Sequence, residues 1–380
     1  MNAKKYATLL AVVNETLAGR TDTARALLAD LVDRHLDDGA SGEDLQYYTF
    51  ASALSKRLES DKAAEINLYL RQFEQTQISL FNLLAQHLPT VALAGPLANE
   101  VLAGYVGGQD EVTLLDIGIG SGRQEVALLH LLADQHRLPR KLNVVAIEPD
   151  AGSLLEAGAA LADAADALGM ELDFHPVHGV VEELGEEDWT FFGSFGAPLV
   201  VLGSFAVHHI RPQPGGVSAR DALFRRLRAL EPDAVVLCEP SSNHDAPSLL
   251  DRFQASWHHF GLNFRIIDGL EQVPAGEKAA MKMFFAREIE DILANADESR
   301  CERHEPVDAW VRRFRDAGFT PCADWGLFEL PDAGAVRVVA RDGYLGMDYG
   351  DETLVAILCA TPGVPAAAGR IPREWLEEVA

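Results

Sequence analysis

The sequence predicts an α/β fold: a mostly parallel sheet with an antiparallel C-terminal hairpin, preceded by an N-terminal helical cap. Three observations predict it. Residues 1–95 carry only helix-period apolar patterns. Residues 112–260 alternate short apolar runs with helix-length stretches, the order expected of a parallel sheet covered on both faces. A glycine-rich turn joins the first of those runs to the first of those helices. The implied organisation is a cap or lid over residues 1–95 and a sheet core over 96–380, with a helical insertion at about 261–305.

Taken in order, Leu9, Leu10, Val13 and Leu17, then Ala24, Leu27, Leu28 and Leu31, recur at helical intervals. Gly39, Ala40, Ser41 and Gly42 break the pattern, and Tyr47 to Leu58 resumes it. Strands are expected at Val112 to Ile117, Leu142 to Ile147, Leu172 to Val177, Leu199 to Leu202 and Ala234 to Leu237. Helices are expected near 123–135, 150–168, 218–230 and 245–260. Right-handed crossovers would put the C-terminal ends of these strands on one edge, where ligands bind. Met281 to Leu293 reads as a helix of the insertion, and Pro306 opens another that ends near Ala317-Gly318. Val336 to Ala340 and Leu354 to Cys359 would form the closing hairpin, with Asp342-Gly343 as the turn signal.

The bulk numbers narrow the function. Of 380 residues, 48% are hydrophobic, enough for a substantial core, and no apolar run approaches the roughly 20 residues that span a bilayer. A cytoplasmic location, without membrane association, is expected. The net charge is −26, a field that repels nucleic-acid phosphate. Arg225-Arg226-Leu227-Arg228 and Arg312-Arg313-Phe314-Arg315 are read as solvated helix faces, so no nucleic-acid partner is expected. Cys238, Cys301, Cys322 and Cys359 stand far apart, with neither zinc nor disulfide spacing. No metal site is expected.

The segment Leu115-Asp116-Ile117-Gly118-Ile119-Gly120-Ser121-Gly122 is the most informative. Gly118, Gly120 and Gly122 permit positive φ and close backbone approach to a ligand, and a helix begins at about Arg123. The nicotinamide dinucleotide fingerprint places its third glycine three residues after the second; here it is two. Asp116 also lies close to where a pyrophosphate would need positive potential. S-adenosylmethionine carries an ammonium, a sulfonium and no phosphate, and a carboxylate at the strand end suits it. In the second strand Glu148 is placed to accept the ribose hydroxyls, Pro149 stops the strand, and Asp150 caps the next helix. Val180 or Val181 would pack on the adenine.

Further along, Gly203 would allow close approach to the methionyl part of the cofactor. His208 and His209 follow, and one of them is a candidate general base. Glu239 ends the fifth strand; Asn243 and His244 join it as candidates for binding a polar substrate and taking its proton. Asp245 is expected to cap the following helix. Arg287-Glu288 and Cys301-Glu302-Arg303-His304-Glu305 read as internal ion pairs or part of a lid.

The order of these motifs resembles the GRAS family, known mainly for plant transcriptional regulators, with bacterial members, and placed in the Rossmann-fold methyltransferase superfamily. Leu9 to Leu58 resembles its first leucine-rich region, Ala98-Asn99-Glu100-Val101-Leu102 its Ala-Asn-Gln-Ala-Ile stretch, and Val112-Thr113-Leu114-Leu115-Asp116 its Val-His-Ile-Ile-Asp motif. Arg228 to Pro232, with Glu239, Asn243 and His244, is similar to its Pro-Phe-Tyr-Arg-Glu region. Ala286 to Ile289, Glu302 to Glu305, Trp310, Arg313 and Ala317-Gly318-Phe319 resemble its late signature most closely. Thr113 replaces the histidine, Leu358-Cys359-Ala360-Thr361 stands in place of the Ser-Ala-Trp ending, and there is no long disordered N-terminal arm. The three glycines give a loop nearer to working methyltransferases than plant members have, which implies a bacterial-type member.

The resulting expectation is a Rossmann-like methyltransferase sheet that binds S-adenosylmethionine through Asp116, Gly118, Gly120, Gly122, Glu148, Pro149 and Gly203. It would methylate a small molecule, with His208, Glu239, Asn243 or His244 orienting the acceptor. The alternative is a non-catalytic ligand-binding or regulatory module. A homodimer through the amphipathic N-terminal helices is also expected.

Overall fold

The computed structural model describes residues 3–36, 43–59, 75–195, 198–212, 218–323, 325 and 334–363. The expected helix break at residues 39–42 lies outside them. In chain order the first helices are α1 (Ala3–Leu17), α2 (Thr21–His35), α3 (Glu43–Arg57), α4 (Gln77–His87), α5 (Pro89–Ala92) and α6 (Ala94–Val106). Alternation follows: β1 (Glu111–Ile117), α7 (Arg123–Asp134), β2 (Lys141–Glu148), α8 (Ala151–Leu168), β3 (Glu171–His178), α9 (Glu186–Gly193), β4 (Leu199–Ser204), α10 (Ala219–Ala229) and β5 (Ala234–Pro240). Then come α11 (Leu249–Asp268), α12 (Ala275–Ala294), α13 (Val307–Asp316), β6 (Thr320–Pro321), β7 (Val336–Arg341), β8 (Tyr344–Tyr349) and β9 (Glu352–Thr361). Two compact units emerge: a helical one from 1–88 with 242–305, and a sheet unit from 89–241 with 306–380.

In the sheet unit the strand order is β3-β2-β1-β4-β5-β9-β8-β7, with β6 beside β9. The first five strands are parallel. Leu114, Leu115, Val144, Val145, Val200, Val201, Val235 and Val236 are all fully buried. Helices cover both faces of a parallel sheet, so its inner strands read as continuous apolar runs. Pro176 is tolerated because β3 lies at the edge. The order reverses between β1 and β4, which makes the gap beyond their C-terminal ends the fold's natural ligand crevice. Behind the sheet, α13 buries Trp310 and Phe314 against Phe224, with the two phenylalanine rings 4.8 Å apart.

The closing hairpin differs from expectation. Asp342-Gly343 joins β7 to β8, a strand the sequence reading did not anticipate, and β9 then pairs with both β8 and β5. The basic clusters are engaged internally: Arg226 pairs with Glu186, Arg228 donates to the carbonyls of Gly318 and Pro362, Arg313 pairs with Asp221, and Arg315 with Asp342. No single described helix is long and apolar enough to cross a membrane.

In the helical unit the apolar stripes of α1 (Leu9, Val12, Val13), α2 (Ala24, Leu28, Leu31) and α3 (Phe50, Ala51, Leu54) are buried. Phe50 meets Trp257 of α11 edge-on at 5.0 Å. Gly261 sits mid-helix because a Cβ there would fall 2.7 Å from Gln46 Nε2, which donates to the Trp257 carbonyl. Arg57 donates to the carbonyls of Leu293 and Asn295, closing the C-terminus of α12. Asp291 on α12 receives the amides of Cys301 and Glu302 at 2.9 and 2.8 Å and so anchors the returning chain. Ser248, not Asp245, caps α11; Asp245 instead pairs with Arg303 at 2.6 Å.

Candidate functional site

The three glycines at the end of β1 have φ of 82°, 55° and 74°, in the left-handed region where a Cβ is strained. Their surroundings differ. A Cβ on Gly118 would lie 2.5 Å from that of Ala206, and one on Gly122 would lie 3.0 Å from Cα of Ala157 in α8. Gly120 would meet nothing within 4 Å. Two of the glycines therefore let the chain pack closely, and the middle one faces open space at the switch point.

Asp116 ends β1 beside that turn and is buried, and its Oδ2 has no hydrogen-bond partner. Burial pushes its carboxyl well up, and the nearby acids Glu125 and Glu148 push it further. Glu125, in the first turn of α7, is equally buried, and its Oε2 is also without a partner. Burial raises its carboxyl too, and the neighbouring Asp116 carboxyl opposes that rise. Sequence reasoning missed Glu125. An acid in the first turn of a helix ordinarily faces solvent and the positive end of the dipole, and only the packing shows that this one turns inward.

Glu148 ends β2, with Oε2 accepting from the Gly120 amide at 3.0 Å and Oε1 from the Asp150 amide at 2.9 Å. Burial raises its carboxyl and the two amides oppose that rise. Glu148 thus fixes the glycine turn while each oxygen keeps a second lone pair. Pro149 separates it from Asp150, whose side chain caps α8 by accepting from the Ser153 amide at 2.7 Å. Val181 is committed to the apolar core with Trp189 and Phe192.

At the end of β4, the face of Gly203 that lacks a side chain is filled by the protein itself: a Cβ there would lie 3.0 Å from Leu237 Cδ2 and 3.2 Å from Val207 Cγ2. Phe205 follows with φ 54°, its amide donating to the Cys238 carbonyl at 2.7 Å. This strained residue turns the chain into a short 3-10 turn, Val207–His209. His208 Nδ1 lies 2.6 Å from Glu239 Oε2, and Glu239 Oε1 accepts the Val207 amide at 2.8 Å. A buried carboxyl group in that position fixes the imidazole through its Nδ1 edge. Two of the four candidate catalytic residues are therefore directly bonded, and Asp116, Gly118, Gly120, Glu148 and Pro149 converge on one turn.

Asn243 and His244 belong to the helical unit. Asn243 is exposed. His244 is fully buried: Ser242 Oγ is 2.9 Å from its Nε2, His304 Nδ1 is 2.8 Å from its Nδ1, and His304 Nε2 lies 3.2 Å from Glu302 Oε2. Only one of the two facing Nδ1 atoms can carry the proton between the rings, and the Ser242 hydroxyl can donate to His244 Nε2 when His244 Nδ1 is that donor. Burial, reinforced by His304 and His259, holds His244 well below the usual imidazole range, so this ring is neutral. Glu288 of α12 is raised by burial and by the charges of Glu302 and Asp291, while Arg287 donates to the Gln75 carbonyl.

Comparison with known proteins follows the same lines. The family model described as the GRAS domain family matches residues 6–325. The GRAS family protein RAD1 of Lotus japonicus is 28% identical over 294 residues, which is 73% of this chain and 57% of that protein. The DELLA protein RGL3 of Arabidopsis thaliana is 26% identical over 345 residues, 88% of this chain and 63% of that protein. The chain thus spans roughly three fifths of the length of these curated relatives. The crystal structure of SCL7 from Oryza sativa covers 94% of this chain and 100% of its own, with a TM-score of 0.71 and 19% identity, a likeness of fold.

Proposed function

The chain belongs to the GRAS domain family, and from that premise we propose that it is a ligand-binding regulatory module whose sheet unit takes S-adenosylmethionine. The observation that carries this reading is Gly120 open to space beside Asp116, whose buried Oδ2 has no partner. A buried carboxyl oxygen needs a donor, and an ammonium group is one suited to it. Asp116 would take the ammonium, the turn through Gly118, Gly120 and Gly122 would admit the body of the ligand, and Glu148, braced by Pro149, would accept the ribose hydroxyls. Gly203 would serve indirectly, by letting Val207 pack beneath the turn that carries His208. The group supplies an electrophilic methyl when bound. The regulatory output rests on the family, and the glycine set favours a bacterial-type member.

A second reading, methylation of a small molecule, is favoured by the His208–Glu239 pair at 2.6 Å. There Glu239 would orient His208, and the imidazole would take the acceptor's proton. Calorimetry with S-adenosylmethionine and S-adenosylhomocysteine, followed by an assay of methyl transfer over a metabolite library, separates the readings. Binding without turnover supports the module. Turnover that His208→Ala abolishes supports the enzyme. The absence of binding by either nucleoside removes the cofactor from both.

A further inference from the structure

We infer that Asp116 and Glu125 share a single proton beneath the glycine turn, and that a cationic ligand binds there by displacing it. This rests on the cofactor reading above for the identity of the ligand, but not for the proton itself. Asp116 and Glu125 are 2% and 4% exposed, and each has a buried carboxyl oxygen, Oδ2 and Oε2, with no hydrogen-bond partner. Carboxylates only accept hydrogen bonds, so two ionised groups facing each other leave both oxygens unpaired and two negative charges side by side. One proton between them supplies the missing donor and removes the repulsion. The groups cannot be treated separately; they lose protons as a pair.

Among the described residues, no cation is named as acting on Asp116. Asp116 is flanked in the sheet by Ala146 of β2 and Leu202 of β4, both apolar. The charges that act on it are Glu125 from α7 and Glu148 from β2, both acidic. Arg123 opens α7 but is exposed, and Glu148 itself faces Asp150 and His178. A shared proton is therefore the internal substitute for a positive charge. An ammonium entering past Gly120 would bring that charge from outside, after which both carboxylates ionise and the proton leaves to solvent. Glu125 becomes a specificity residue: it makes the site favour ligands carrying a cation at this point over neutral nucleosides.

The sign of the pH dependence follows. The free protein holds one more proton than the complex, so affinity for a cationic ligand rises with pH, by up to about tenfold per pH unit while the pair stays protonated. Calorimetry of S-adenosylmethionine in phosphate and in Tris, buffers with different ionisation enthalpies, counts the protons released. We expect release approaching one proton for the wild type and near zero for Glu125→Gln, whose amide donates permanently to Asp116. We also expect near-zero release for 5′-methylthioadenosine, which lacks the ammonium. Tight binding with no release in the wild type, or equal release in Glu125→Gln, overturns the inference.

If S-adenosylmethionine does not bind, the cofactor reading fails and the proton is read without ligand. The infrared carbonyl band of a protonated carboxylic acid at neutral pH should be weaker in Glu125→Gln than in the wild type. Glu288, whose carboxyl is also raised by burial, adds to that band in both proteins, so the difference spectrum is the measurement, and identical spectra overturn the pair.

Discussion

At the scale of single residues, the glycines of the β1 turn separate packing from binding. Gly118→Ala puts a Cβ 2.5 Å from Ala206 at a φ of 82°, and should cost about 2–3 kcal/mol in urea unfolding. Gly120→Ala meets only the left-handed strain, about 1 kcal/mol, and should keep the fold while weakening nucleoside binding measured on the same preparation. Equal stability losses for the two would deny that their environments differ. The buried histidines give a pH signature. Burial lowers His259 to about 3, so between there and the ordinary value of 6.5 the unfolded chain binds the proton and the native one does not. Its contribution is complete above pH 6.5 and shrinks as pH falls, by about 1.4 kcal/mol per unit. The Asp116 and Glu288 carboxyls act in the opposite sense: raised in the fold, they stabilise at low pH and lose that contribution as pH rises through their folded values. Replacing His259 by Phe should flatten the decline in urea midpoint from pH 6.5 to 4.5, and an unchanged slope would mean that this ring does not titrate between the two states.

At the scale of elements, Asp150 joins β2 to α8 through a cap whose loss should cost about 1 kcal/mol. Its backbone amide still reaches Glu148 in Asp150→Ala, so the thermal midpoint should drop while nucleoside affinity stays within twofold. Loss of affinity together with stability would place the side chain in the pocket. The elements that sequence revealed best were those with one dominant cause. The runs that became β1, β2, β4 and β5 are buried on both faces, so their residues are predominantly apolar. β8 was invisible for the opposite reason. Its Tyr-Leu-Gly-Met-Asp-Tyr has no clean alternation, the pairing slips between Met347 and Asp348, and the buried Asp348 is balanced by Arg341 and the Thr353 hydroxyl. Sequence could mark His208 and Glu239 individually, since both fall at strand ends. It could not reveal their bond, which depends on the parallel register that sets Ser204 beside Cys238. Glu125 needed packing to be noticed at all, because exposure is invisible in a first-turn acid.

At the scale of the molecule, the helical unit is assembled from two stretches far apart in sequence. Within it, Phe253 and Trp257 of α11 lie against Tyr6, Tyr47 and Phe50 of α1 and α3. A fragment of residues 89–380 would strip these rings of their cover and should aggregate or bind a hydrophobic dye in gel filtration, whereas a monodisperse, dye-silent fragment would show that the first four helices are dispensable. The same discontinuity sets a timetable for synthesis. The first 88 residues leave the ribosome with α1 and α2 able to pair at once, but α3 and α4 wait for their main partner α12, which is complete only at residue 294. At the usual pace of translation that interval is on the order of ten to forty seconds. A nascent chain held open for so long is a natural client for holding chaperones, and its yield in the cell should depend on them more than its final stability would suggest.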